Sequence, residues 1–137
     1  MNWKLVFLLS LFGLAMGMAT VFVIPSNIEP FCWLAIFLIC AYIIAVRAPG
    51  RYFLHGFMVS IFNSVWITAW HVLLFDQYVA HHQKEVEMMK AMPLSPRVMM
   101  VVTGPVVGIV SGLVLGLFAF LAYKLVGKRS ATNLSAT

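Results

Sequence analysis

Acidic residues are nearly missing from this chain. Aspartate and glutamate together number 4 in 137 residues, and charged residues of both signs make up only 9%. A water-soluble domain carries about 25% charged residues, so a water-facing shell around one small core is excluded. Cysteine is scarce as well. Cys32 and Cys40 are eight positions apart with no CxxC motif, a separation of roughly 12 Å along a shared helix, which lies beyond disulfide reach. A redox motif and a structural zinc site are therefore not encoded. Enzymatic signatures are missing too. There is no P-loop, dinucleotide fingerprint, nucleophile elbow or H-E-x-x-H, so neither an enzyme nor a catalytic residue is expected.

What remains is oil-like. Hydrophobic residues account for 63% of the chain, against about 45–50% in soluble domains. A membrane-spanning helix needs about 20 mostly apolar residues. Four stretches meet that requirement, at about 5–24, 30–46, 52–75 and 98–123. The expected fold is all-α, a single polytopic membrane domain over 1–137 with four transmembrane helices. Lys4 and Gly17-Met18-Ala19 resemble a cleaved signal, but the apolar run continues to Ile24, as expected of a retained span.

The connections carry their own punctuation. Ser26-Asn27-Ile28-Glu29 has capping-box spacing with Pro30 behind it. Arg47-Ala48-Pro49-Gly50-Arg51 reads as a tight reversal. Ser95-Pro96 reads as an N-cap followed by proline at the first helical position. The extramembrane segment 76–97 is polar yet rich in helix formers, and Lys84, Glu87 and Lys90 neighbour one another at i, i+3. The third helix is thus expected to extend beyond the bilayer for several turns and to stop at Pro93.

Lysine and arginine collect on the cytoplasmic side of membrane proteins. With four spans both termini share a side. That side holds Lys4, Arg47, Arg51, Lys124, Lys128 and Arg129 and no acidic residue. The far side holds Lys84, Lys90 and Arg97 with Glu29, Asp76, Glu85 and Glu87. Both termini are therefore expected in the cytoplasm. The net charge of +5 is a topology signal and does not point to nucleic acid.

Glycine recurs every fourth residue at Gly104, Gly108, Gly112 and Gly116, and Gly13 and Gly17 repeat the spacing in the first span. In lipid, helices associate through close contact rather than hydrophobic drive, and small residues at this spacing form a groove for a second backbone. The two glycine faces are expected to pack on one another, within a chain or between copies. Expected partners are the lipid bilayer and either another membrane protein or a homo-oligomer. A pore of glycine-laddered helices is an alternative.

At 100° per residue, Ser60, Asn63, Ser64, His71 and Tyr78 share one side of the third helix with Gly56 and Ile67. Asp76 lies about one turn beyond His71. Polar groups within a span face the bundle interior or a wet cavity, so these six polar residues form the candidate polar or ligand face. Asn63 with the two serines reads as polar glue between helices. His71 reads as a hydrogen-bonded interface residue, or as a proton relay. Trp66 and Trp70 are expected as interfacial anchors. His81 and Glu85 at i, i+4 are the one pair spaced to grip a metal, and a pair is too few for a site. All four histidines lie on the third helix or its extension, which leaves no facing pair for haem. No metal or other cofactor is expected. The function expected first is a non-enzymatic accessory or interaction subunit, and the alternative is a small transporter or channel using the polar stripe. Small four-helix multidrug exporters are of similar size, but they carry a buried glutamate in the first span, where this chain has none.

Residues 51–129 carry a further pattern: Gly56-Phe57, then Glu87-Met88-Met89-Lys90-Ala91-Met92 leading to Ser95-Pro96, then Thr103-Gly104-Pro105, Gly108, Ser111-Gly112 and Gly116. This pattern resembles a family of small bacterial four-helix integral membrane proteins grouped as a domain of unknown function. The resemblance implies a bacterial inner (cytoplasmic) membrane location and four spans. It implies no activity and no functional residues.

Overall fold

The computed structural model describes residues 1–135, and they form six helices: α1 (Trp3–Phe22), α2 (Glu29–Arg47), α3 (Tyr52–Leu73), α4 (Phe75–His81), α5 (Gln83–Lys90) and α6 (Pro96–Ser135). Four of them, α1, α2, α3 and α6 over Pro96–Val126, are long and apolar enough to cross a membrane. The chain is all-helical among the described residues, and α6 at 40 residues runs about 60 Å, well past a hydrocarbon core of about 30 Å.

Each helix starts for a local reason. Asn2 caps α1, its side-chain oxygen accepting from the Leu5 N–H at 3.1 Å. The capping box expected at Ser26–Glu29 does not form. Instead Ile28 is the cap residue, without a side-chain bond, and Glu29 lies in the first turn of α2. Its carboxylate accepts from Trp33 Nε1 at 3.2 Å. The reversal before α3 uses Gly50 at φ +132° and Arg51 at φ +50°. Glycine enters that region without a Cβ penalty.

The expected extension of the third helix is present as α4 and α5, with two breaks. Leu74 (φ −105°, ψ 41°) ends α3, and His82 (φ −130°, ψ 50°) separates α4 from α5. A straight extension would hold Phe75, Tyr78, Val79, Val86 and Met89 in the open. The breaks fold the segment back, and these residues pack with Val21 of α1 and Met100 of α6 in a second small core.

The hub of the bundle is α3. On one side it meets α1, where a Cβ on Gly13 would lie 2.6 Å from Asn63 Cα and one on Gly17 would lie 2.9 Å from Trp70 Cδ1. On the other side it meets α6 in antiparallel register. Gly104 sits on Thr68, Gly108 on Ser64, Gly112 on Phe57 and Gly116 on Phe53. Gly56 marks the tightest backbone approach between α3 and α6, since its Cβ would come within 2.6 Å of the Leu115 carbonyl. The two glycine faces therefore do not pack on one another as expected. α3 lies between them. The physical reason is that one helix with small or polar residues on two sides can accept both grooves at once. Trp66 and Trp70 also depart from expectation, since they lie in the α1–α3 seam. Trp66 Nε1 donates to Ser10 Oγ at 3.3 Å.

α2 packs mainly at its C-terminal half. Ile36, Cys40, Ala41 and Ile44 join Leu115 and Ala119 of α6 and Leu5, Val6 and Leu9 of α1. Both cysteines are free. The Tyr52 and Tyr123 rings stack at 3.9 Å near the same end. α2 and α6 run in the same direction, joined at the end nearer the termini and apart at the other.

Candidate functional site

Where α2 and α6 part, they leave a cavity of about 680 Å³ against α3, within the range of small-molecule sites. Its walls differ in character. α3 supplies Ser60, Asn63, Ser64, Thr68 and His71, and α6 adds Thr103 and Ser111. α2 contributes Trp33, Leu34 and Phe37, facing Val107, Val114 and Phe118 of α6. Tyr78, Glu85 and Met89 close the far end, together with Ser26 and Glu29. Leu34, Val107 and Val114 line the cavity and are also exposed on the outer surface of the bundle, Val107 at 59%. The opening thus lies sideways, between two membrane-competent helices.

Asn63 is 2% exposed. Its Oδ1 accepts from the Gly13 N–H at 3.2 Å, which fixes the orientation of the amide. Nδ2 then has no partner among the described residues. A buried amide donor left unpaired costs roughly 1–3 kcal/mol, and this one belongs to a residue on the cavity wall. Ser64 is satisfied locally, donating to the Ile61 carbonyl at 2.8 Å. The Thr20 hydroxyl donates to the Gly17 carbonyl at 3.1 Å and so accepts from His71 Nε2 at 2.9 Å, which places the proton of the neutral ring on Nε2 and leaves Nδ1 as an acceptor. The His71 ring lies 4.4 Å from that of Tyr78, and Tyr78 stacks on His82 at 4.3 Å.

Electrostatics at the far end are one-sided. Burial pushes the Tyr78 hydroxyl up to about 12, and the neighbouring carboxylates of Glu85 and Glu29 add to the shift. The Ser26 hydroxyl beside Glu85 holds that carboxyl below its ordinary value. Glu85 is thus held as an anion, beside a tyrosine held neutral.

Of the six residues expected on one polar face, the structure brings Ser60, Asn63, Ser64, His71 and Tyr78 to the cavity. Asp76 is excluded. The break at Leu74 turns its carboxylate to the other side, where it lies 3.8 Å from Arg97 and is 87% exposed. An exposed pair of this kind contributes little. The break at His82 likewise puts His81 and Glu85 on different helices, so their i, i+4 spacing is lost. His81 Nδ1 instead contacts the Gln77 carbonyl at 3.0 Å. Among the described residues no three potential ligands gather around a point.

Sequence reasoning missed Glu29, Glu85, Thr20, Thr68 and Ser111 as neighbours of the polar face. Thr68 and Ser111 carried a usable signal, since each shares a helix face with a predicted residue. Glu85 did not, because its approach depends on the two breaks, and Thr20 did not, because its bond to His71 depends on the packing of α1 on α3.

The four apolar helices are the make-up of a multi-pass membrane protein. No family model, curated protein or solved structure matches the chain.

Proposed function

We propose that this chain is a small non-enzymatic transporter-like protein of a bacterial inner membrane, which binds a small molecule in the cavity between α2, α3 and α6. The observation that carries this reading is the polar wall of a laterally open cavity of about 680 Å³. The accessory-subunit reading drew its support from the two glycine faces, and α3 occupies both. A homo-oligomer or another membrane protein would then dock on exposed aliphatic surfaces such as Val106, Ile109 and Leu113 rather than on glycine. The resemblance to the bacterial four-helix group agrees with this setting.

Native mass spectrometry of protein released from its own membrane tests the binding. The expected result is one small non-phospholipid molecule per chain, lost in Val107→Trp, which fills the mouth from an exposed position. Wild type and variant carrying identical complements would overturn the reading.

The charge asymmetry supports both termini in the cytoplasm, with α4 and α5 outside. In a cysteine-free background, Lys84→Cys reacts with an impermeant thiol reagent in intact cells and Ser130→Cys reacts only after lysis. The reverse pattern would invert the topology. Lys128 and Arg129, which enter the charge tally, lie outside the residues whose side chains the structure describes.

A further inference from the structure

Resting on the cavity reading above, we infer that the occupant is a lipophilic cation, a bulky apolar molecule with one delocalised or buried positive charge, entering sideways from the bilayer. Among the described residues, the charged ones lining the cavity are Glu29 and Glu85, with no lysine or arginine. Lys84, the cation beside Glu85, is exposed and outside the lining. An anionic ligand would therefore meet two carboxylates and no counter-charge. The same argument excludes an anionic phospholipid, since its phosphate would have no partner. A cation meets both carboxylates, and the Trp33 ring beside Glu29 offers a π face of the kind that attracts desolvated cations. Tyr78, held neutral up to about 12, adds no competing charge. The apolar wall of Leu34, Phe37 and Val107 accepts the bulk of the ligand and opens on the surface that lipid would cover.

The test uses the full chain in phosphatidylcholine nanodiscs with three probes of similar size: tetraphenylphosphonium, tetraphenylborate and neutral triphenylphosphine oxide. Tetraphenylphosphonium is expected to bind saturably, one per chain, and tetraphenylborate to show only lipid partitioning. Glu29→Gln and Glu85→Gln each weaken the cation about tenfold, as expected for loss of a charge a few ångströms away near a protein surface. Asp76→Asn removes the same charge from an exposed position outside the cavity and leaves binding unchanged. Val107→Trp abolishes binding. Borate or phosphine oxide binding as tightly as the cation, indifferent to the Glu29 and Glu85 variants but blocked by Val107→Trp, would overturn the cation assignment and keep the cavity as a site. Saturable binding of none of the three probes would overturn both.

Discussion

Gly56→Val is expected to destabilise the bundle by about 3 kcal/mol, at the severe end of overpacking. Gly56 lies where α3 and α6 cross, and the first added carbon would already sit 2.6 Å from the Leu115 carbonyl and 2.9 Å from Gly116 Cα. Both obstacles are backbone, so no side-chain rotation relieves the clash and the two helices must move apart. Separation would also release Phe53 from Gly116 and Phe57 from Gly112, since those contacts share the register. Gly108→Ala is also expected to destabilise, because its Cβ would lie 2.7 Å from Ser64 Cβ, which no side-chain rotation moves. Leu117→Ile is the control. Leu117 is 49% exposed on the outer face of α6, and its change should stay within about 0.5 kcal/mol. Unfolding in mixed micelles or by steric trapping reads all three. Equal stability of Gly56→Val and Leu117→Ile would mean that the α3–α6 crossing is looser than described.

His55→Leu is the second large effect, at about 1–3 kcal/mol, the cost of leaving a buried polar group unpaired. His55 is fully buried at the end of the bundle nearer the termini. Its Nε2 accepts from the Asn2 N–H at 2.9 Å, so Nδ1 holds the proton and donates to the Arg51 carbonyl at 3.0 Å. One ring thereby joins the cap of α1 to the left-handed residue that starts α3. Leucine matches the volume but takes neither bond, leaving an amide donor without a partner. His55→Gln keeps one acceptor and one donor within reach and should recover part of the loss. If leucine proved as stable as histidine, the ring would be filling space only.

How much of this was legible in the sequence depended on the range of the interaction. The four spans follow from local hydropathy, because each helix pairs its own backbone and needs only an apolar length. The glycine spacing announced close packing, but not its target. Gly13 and Gly104 both read as grooves, and nothing local shows that α3 fills each of them. The polar stripe was readable because Ser60, Asn63, Ser64 and His71 share one regular helix. Asp76 was misplaced because it follows the break at Leu74, and no glycine or proline stands there to signal one. The break is set by tertiary burial of Phe75, Tyr78 and Val86 on Val21 and Met100. The same fold-back brings Glu85 to Ser26 and Glu29, which gives the cavity its acidic end. His55 was passed over because its partners, the Asn2 amide and the Arg51 carbonyl, are backbone groups that no residue pattern marks.

The central claim is that the glycine ladder of α6 is occupied by α3 of the same chain, which leaves the cavity rather than the ladder for other molecules. Disulfide trapping reads it directly. With Cys32 and Cys40 changed to alanine, Tyr52→Cys combined with Tyr123→Cys should oxidise rapidly to a species of monomer mass, because those two rings stack at 3.9 Å between α3 and α6. Mixing the two single variants should give no linked dimer. Rapid dimer formation from the mixed single variants, with no internal bond in the double variant, would contradict the account.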